Sequence, residues 1–127
     1  MRLEDLEIYQ ISLRLSDEIW DIVIKWGYFE KRGLGVQLTD AADSISSNIS
    51  EGYGRMFPKD NRRFCIIARG SLYETTTWLY KAHNRKLIDD TIYNHFSEEC
   101  NNLKVKLWNY IIALNNKIKH DKNDGQS

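Results

Sequence analysis

Two glutamates stand where acid–base or metal chemistry could be built. Glu51 sits near the end of the run Ser44-Ile45-Ser46-Ser47-Asn48-Ile49-Ser50-Glu51-Gly52, and Glu74 follows Gly70 and Ser71 in a second stretch of helical character. Two carboxylates on facing helices can divide acid and base roles or hold a metal ion. The helical di-metal pattern also asks for a histidine three residues after each glutamate, and those positions hold Gly54 and Thr77. The preferred alternative is a structural polar seam. Gln37, Ala41, Ser44, Asn48, Glu51 and Arg55 fall on one helical stripe, stepping alternately by four and three. Asn48 and Glu51 would then meet Ser71 and Glu74, with Gly70 permitting close approach and Arg55 and Arg69 as ion-pair partners. Buried polar groups of this kind add little net stability but penalise wrong pairings. A ligand or partner site and a catalytic pair remain the competing readings.

A second group could bind a phosphate backbone. Arg55, Lys59, Arg62, Arg63 and Arg69 are opposed over that stretch only by Asp60, with Tyr53, Phe57 and Phe64 interleaved. Cations neutralise phosphates and release counterions, and aromatics beside them stack on unpaired bases. The competing reading is a solvated helix start, salt-bridged to the acidic first helix of a neighbour. Residues 1 to 30 carry Glu4, Asp5, Glu7, Asp17, Glu18, Asp21 and Glu30 against Arg2, Arg14 and Lys25, so charge is segregated along the chain. The total is balanced at 18 basic and 18 acidic residues, which gives no bulk attraction to nucleic acid or anionic membrane.

Other reactive side chains are dispersed. Cys65 and Cys100 match no metal or redox spacing and read as buried thiols on helix faces. His83, His95 and His120 lie on separate turns or ends without metal spacing, and no glycine-rich phosphate loop appears. No cofactor is expected. The start of the chain lacks the apolar core of a signal peptide, and no run approaches the ~18 apolar residues of a membrane span. A cytoplasmic protein is the expectation.

Helical periodicity fills the elements that would position these groups, and 127 residues suit one domain. The first segment, about Leu3 to Trp26, carries two apolar stripes: Leu6, Tyr9, Leu13, Trp20 and Val23, and beside them Ile8, Leu15, Ile19, Ile22 and Trp26. A helix apolar over so much of its circumference must be covered on more than one side. Gly27 and Glu30-Lys31-Arg32-Gly33 read as a turn. The second helix, about Leu34 to Tyr53, presents Leu34, Leu38, Ala41, Ala42, Ile45 and Ile49 to a core and is expected to end on a left-handed cap at Gly52-Tyr53-Gly54. Pro58 suits the first turn of the third helix, which carries Phe64, Ile67, Ala68, Ser71, Thr75, Trp78, Leu79 and Ala82 to about Arg85. Asp89 or Asp90 would cap the fourth, along which Ile92, Phe96, Cys100, Leu103, Leu107, Tyr110, Ile111, Leu114 and Ile118 form one stripe. These elements predict an all-α, antiparallel up-down-up-down four-helix bundle over residues 1–119, with a flexible polar tail over 120–127. Trp20, Trp26, Trp78 and Trp108, with seven tyrosines, exceed what one bundle needs inside and point to self-association.

Gly33-Leu34, Gln37-Leu38, Ala41-Ala42, Ser44-Ile45, Asn48-Ile49 and Glu51-Gly52, continued by Phe64 and by Ala68 through Gly70-Ser71 to Glu74, carry a family resemblance. From about Leu3 to Ile118 the chain resembles the bacterial four helix bundle proteins, also called intervening-sequence proteins because some are encoded inside large-subunit ribosomal RNA genes. A related branch comprises accessory proteins of diversity-generating retroelements, which work with a reverse transcriptase and nucleic acid. The resemblance implies a ring-like homopentamer with no established enzymatic activity. In such a ring the basic segment would repeat around one end and present about twenty surplus positive charges. The function implied is non-enzymatic: an accessory factor whose oligomer engages RNA or a nucleic-acid-processing protein. The alternative is a protein-binding scaffold with no nucleic-acid contact.

Overall fold

The computed structural model describes the backbone of residues 1–126 and the side chains of residues 1–122. Four long helices, α1 (Glu7–Val23), α2 (Val36–Tyr53), α3 (Pro58–Asn84) and α4 (Asp90–Gln126), pack around one core, and no strand occurs among the described residues. Each helix lies against two others, α1 with α2 and α4, and α3 with α2 and α4, so the four enclose a single apolar interior. Residues 120–126, expected from the sequence to form a polar tail, continue α4; Ser127 lies outside the described residues. No helix among the described residues is long and apolar enough to cross a membrane.

The core follows the helical ladders. All six residues expected to face the core from the second helix are buried, five of them in α2 and Leu34 just before it, and α4 buries Phe96, Cys100, Leu103, Leu107, Ile111 and Leu114. α1 buries Ile8, Ile11, Leu15, Ile19 and Val23 and leaves Leu13, Trp20 and Ile24 in solvent. On α3 the buried ladder is Cys65, Ala68, Leu72, Thr75, Leu79 and Ala82, rotated from the expected stripe. Phe64, Ser71 and Trp78 are half-buried and Ile67 is exposed. Five successive apolar residues, Phe64 to Ala68, make the inward phase of α3 ambiguous until its neighbours are placed. The buried hydroxyls of Ser12, Ser16, Thr39, Ser46 and Thr75 donate to carbonyls three or four residues earlier, so each is satisfied inside its own helix.

The connections depart from expectation in two places. Residues 27–33 are not an open turn. After the extended Gly27, a short helical piece (Tyr28–Glu30) passes into a π-helical stretch (Lys31–Gly35) that runs directly into α2. Gly35 is what the packing requires there, because a Cβ on it would lie 2.8 Å from Val23 Cγ1 and 3.3 Å from the Glu30 carbonyl oxygen. The Trp26 indole nitrogen packed beside this stretch has no hydrogen-bond acceptor among the described residues. The second departure is the end of α2. Gly54 is right-handed, with φ −73° and ψ −9°, so no left-handed cap forms at Gly52-Tyr53-Gly54.

The left-handed cap lies instead at the end of α3, on Lys86, with φ 62°. Leu87 N–H donates to the Ala82 carbonyl at 2.9 Å and Lys86 N–H to that of His83 at 3.0 Å, which closes a Schellman motif without glycine. A non-glycine residue pays a Cβ clash in this conformation. Lys86→Gly is expected to stabilise the fold by about 0.5–1 kcal/mol, read as a higher urea midpoint with an unchanged slope. The other two boundaries match expectation. Pro58 is the first residue of α3, and Asp89 Oδ1 accepts the Ile92 N–H at 2.9 Å ahead of α4.

Candidate nucleic-acid interface

The polar seam assembles around Ser44, not around the carboxylates. Ser44 Oγ and Ser71 Oγ lie 2.9 Å apart across the α2/α3 boundary, and Asn48 Nδ2 donates to Ser44 O at 2.8 Å and to Ser44 Oγ at 3.0 Å. Glu51 and Glu74 belong to neither contact. Glu51 Oε1 accepts from Arg55 Nη2 at 2.7 Å, and Glu74 Oε1 accepts the Trp78 indole N–H at 3.1 Å, each from a residue four positions on. Both glutamates are exposed, as is Gln37 at the far end of the stripe. The expected meeting of two carboxylates is therefore not made. A stripe placed at the edge of a helix contact, where water reaches half of it, satisfies its outer members locally. Among the described residues no cluster of His, Cys, Asp and Glu is arranged to hold a metal ion.

Gly70 does not mediate the approach of α2 to α3: a Cβ there would have open space around it. The close approach is at Gly52. A Cβ on Gly52 would stand 2.8 Å from Asn61 Oδ1, 3.0 Å from the Asn61 carbonyl oxygen and 3.0 Å from Phe64 Cβ. Below it, Asn61 Nδ2 donates to Tyr110 Oη at 3.0 Å, and Tyr53 Oη donates to the Met1 carbonyl at 2.7 Å. This end of the molecule is thus locked by a glycine contact and a small polar latch. Burial raises the Tyr110 phenol above its usual range, against the opposing effect of its hydrogen bond from Asn61.

The same end carries most of the basic segment. The α2–α3 connection projects Met56 (86% exposed) and Phe57 (62% exposed) into solvent. Arg55 and Arg63 both lie over the Phe64 ring, with guanidinium carbons 4.9 and 4.7 Å from its centroid. Arg62 Nη1 donates to Asn115 Oδ1 at 2.8 Å. Lys59 lines a shallow groove with Phe57, Pro58, Ile118, Asp121 and Lys122. α4 therefore adds cations that sequence reading missed: Lys117 borders the adjoining groove beside Arg55 and Phe57, and Lys122 the first. The signal was available, because the α4 ladder runs through Leu114 to Ile118 and must carry its intervening lysines to the place where α3 begins. Arg69 stands apart, about 15 Å up α3 from Lys59 at 1.5 Å per residue. Its guanidinium carbon lies 4.9 Å from the Tyr73 ring centroid and 5.1 Å from that of Trp108.

Three charged side chains of α1, Glu7, Arg14 and Glu18, are answered from α4. Lys106 Nζ reaches Glu7 at 2.8 Å, Arg14 reaches Glu99 at 3.2 Å and His95 Nε2 meets Glu18 at 2.6 Å. These partly exposed pairs orient α4 against α1 more than they stabilise it. At the opposite end His83 lies 2.6 Å from Asp90 and stacks on Tyr93 at 4.3 Å between centroids. Cys65 and Cys100 are buried as expected, and burial pushes both thiols up to about 12. Native protein is expected to resist iodoacetamide at pH 8 and to take up two labels once unfolded in urea; rapid native labelling would contradict this burial.

Four helices around one core, with exposed aromatic and cationic side chains gathered at one end, define a four-helix-bundle protein. The chain belongs to the 23S rRNA-intervening sequence protein family, whose model matches residues 4–109. A comparison with curated proteins found no match. Among solved structures, the chain is similar to a protein of unknown function from the S23 ribosomal protein family of Bacteroides thetaiotaomicron, determined at 1.70 Å. The TM-score is 0.74 at 19% identity, over 82% of this chain and 97% of that one, which establishes a shared fold.

Proposed function

We propose that this is a non-enzymatic, homo-oligomeric accessory protein of the cytoplasm whose assembled copies engage RNA, or a protein that processes nucleic acid, through the end bearing Arg55, Lys59, Arg62, Arg63, Lys117 and Lys122. Contacts running in opposite sequence order on adjacent helices support an antiparallel up-down-up-down arrangement: Glu7, Arg14 and Glu18 meet Lys106, Glu99 and His95. The family's association with ribosomal RNA genes supports the choice of RNA. The observation that carries the reading is the exposed Phe57 among cations from two helices, since aromatic faces stack on unpaired bases while the cations follow the backbone. Assembly is supported by Leu13, Trp20 and Ile24, an apolar flank that the described residues leave exposed. Five copies in a ring would place the cationic ends on one rim and sum their weak single contacts.

Filter binding to ribosomal RNA fragments at two salt concentrations tests the proposal. Binding should weaken steeply with salt, as counterion release requires. Absence of binding, or affinity indifferent to salt, would reject it. The second reading is a protein-binding scaffold, favoured by the exposed Tyr73 and Trp108 on the outer face of α3 and α4; recovery of one protein partner without nucleic acid would select it.

A further inference from the structure

Gly70 is a glycine without an internal reason. It lies in the middle of α3, where glycine costs about 1 kcal/mol relative to alanine. Beyond its chain neighbours and its own helix backbone, none of the described residues comes within 4 Å of the Cβ it lacks. Ile66, Gly70, Tyr73, Thr77 and Tyr80 step by four and three along one exposed face of the helix. Gly70 is thus a notch between large exposed side chains, Ile66 on one side and Tyr73 on the other. Beside the notch, α4 contributes exposed Val105, Trp108 and Ile112. The cations on this face lie on rings: Arg69 over Tyr73 and Trp108, and Lys104 Nζ 4.4 Å from the Tyr73 centroid. The face is apolar, grooved and positively charged.

The outer face of α1 has the opposite relief and charge. Leu13, Asp17, Trp20 and Ile24 also step by four, three and four, forming a ridge whose tallest member, Trp20, is 53% exposed. Asp17 stands in the ridge, with Asp40 and Asp43 of α2 beside it. Desolvation first, and then the charges of Asp17 and Asp40, hold the Asp43 carboxyl above the usual carboxylate range, so these acids crowd one another. None of the three is ion-paired among the described residues. A cationic surface laid against them would relieve that repulsion.

We propose that the α1 ridge of one copy seats in the Gly70 notch of the α3/α4 face of the next, with Trp20 filling the notch and Asp17, Asp40 and Asp43 facing Arg69 and Lys104. The inference rests on the self-association proposed above and assigns the two surfaces that carry it. Because the surfaces differ, the contact is heterologous, and it builds a ring or an open array, not a twofold dimer. Aromatic anchoring with complementary charge is the chemistry of specific protein contacts. Arg69 is thereby assigned to the subunit contact and not to the RNA-binding end.

The test uses the full chain with one surface disabled at a time, measured by sedimentation velocity, with circular dichroism confirming the fold. Gly70→Leu fills the notch and Trp20→Glu removes the ridge; Tyr73→Glu and Leu13→Glu serve as second variants of the same surfaces, all at exposed sites. Each single variant is expected to raise the assembly midpoint concentration at least tenfold and to leave protomers. An equimolar mixture of Gly70→Leu and Trp20→Glu should recover a pair of twice the protomer mass and nothing larger, because each retains the surface the other lacks. Gly70→Ala should raise protomer stability while loosening assembly. A Gly70→Leu, Trp20→Glu double variant that oligomerises as the wild type does would overturn this interface and leave self-association standing. Dissociated variants that fail to pair on mixing would overturn the heterologous contact. Wild-type protein that is monomeric throughout would remove both proposals.

Discussion

Gly52→Leu is expected to destabilise the fold by about 3 kcal/mol, roughly 10–15 °C in Tm for a chain of this length. The leucine Cβ would enter a space already bounded by the Asn61 carbonyl at 3.0 Å and Phe64 Cβ at 3.0 Å. Both atoms are fixed to the α3 backbone, so neither can swing aside as a long side chain would. α2 and α3 must separate, and Asn61 then loses its position against Tyr110 Oη. A gain in helix propensity of about 1 kcal/mol is too small to offset this. Thermal unfolding of Gly52→Leu beside Gly70→Ala separates the two glycines, since one should fall and the other rise. A neutral Gly52→Leu would mean that the helices do not meet there.

Removing the charges of Arg55, Lys59, Arg62 and Arg63 together, as glutamines, is expected to weaken binding to single-stranded RNA roughly a hundredfold near physiological salt. It should also lower the slope of log affinity against log salt by about 3 per set of four contacts, at ~0.7 per neutralised phosphate. The fold should survive, because Lys59 and Arg63 are exposed, Arg55 is exposed and ion-pairs with Glu51 four residues earlier, and glutamine can keep a donor for Arg62's bond to Asn115. Affinity and slope unchanged in this variant would move the interface elsewhere on the molecule. The matching substitution of Arg69 should alter assembly before it alters the slope.

Much of the fold was legible because most of its ladders are unambiguous. In α2 and α4 one apolar ladder recurs at regular helical spacing, and Leu38, Ala42, Ile45 and Ile49, or Phe96, Cys100, Leu103 and Leu107, lie on it and face inward. α3 was harder: with Phe64, Cys65, Ile66, Ile67 and Ala68 in succession, sequence does not say which of them the neighbours will cover. The two glycines show the same point. Gly52 continues the buried phase of Ile45 and Ile49, which marks it as an inward contact, whereas Gly70 continues the exposed phase of Ile66 and Tyr73. Their phases, not their identity, carried that information. The π-helical stretch was not legible, since Gly27 and Gly33 read locally as turn formers, whereas the chain follows a helical path there with Gly35 packed against Val23. The left-handed cap was misplaced for a related reason: glycine marks where such a cap is easy, and the chain placed it on Lys86, where the α3–α4 reversal required it.

The candidate site was legible in part. Arg55, Lys59, Arg62 and Arg63 do share one end of the bundle, while Lys117 and Lys122 join them only through the packing of α4 on α3. Glu51 and Glu74 were placed on facing helices correctly, but their rotation past the contact edge leaves each to a partner four residues away.

Everything proposed for function depends on identical copies covering the Leu13, Trp20 and Ile24 flank of α1. Multi-angle light scattering of the intact chain across micromolar concentrations tests this most directly. The expected result is a stable mass at an integer multiple of the 15.0 kDa protomer; a mass that stays at one protomer throughout would contradict it.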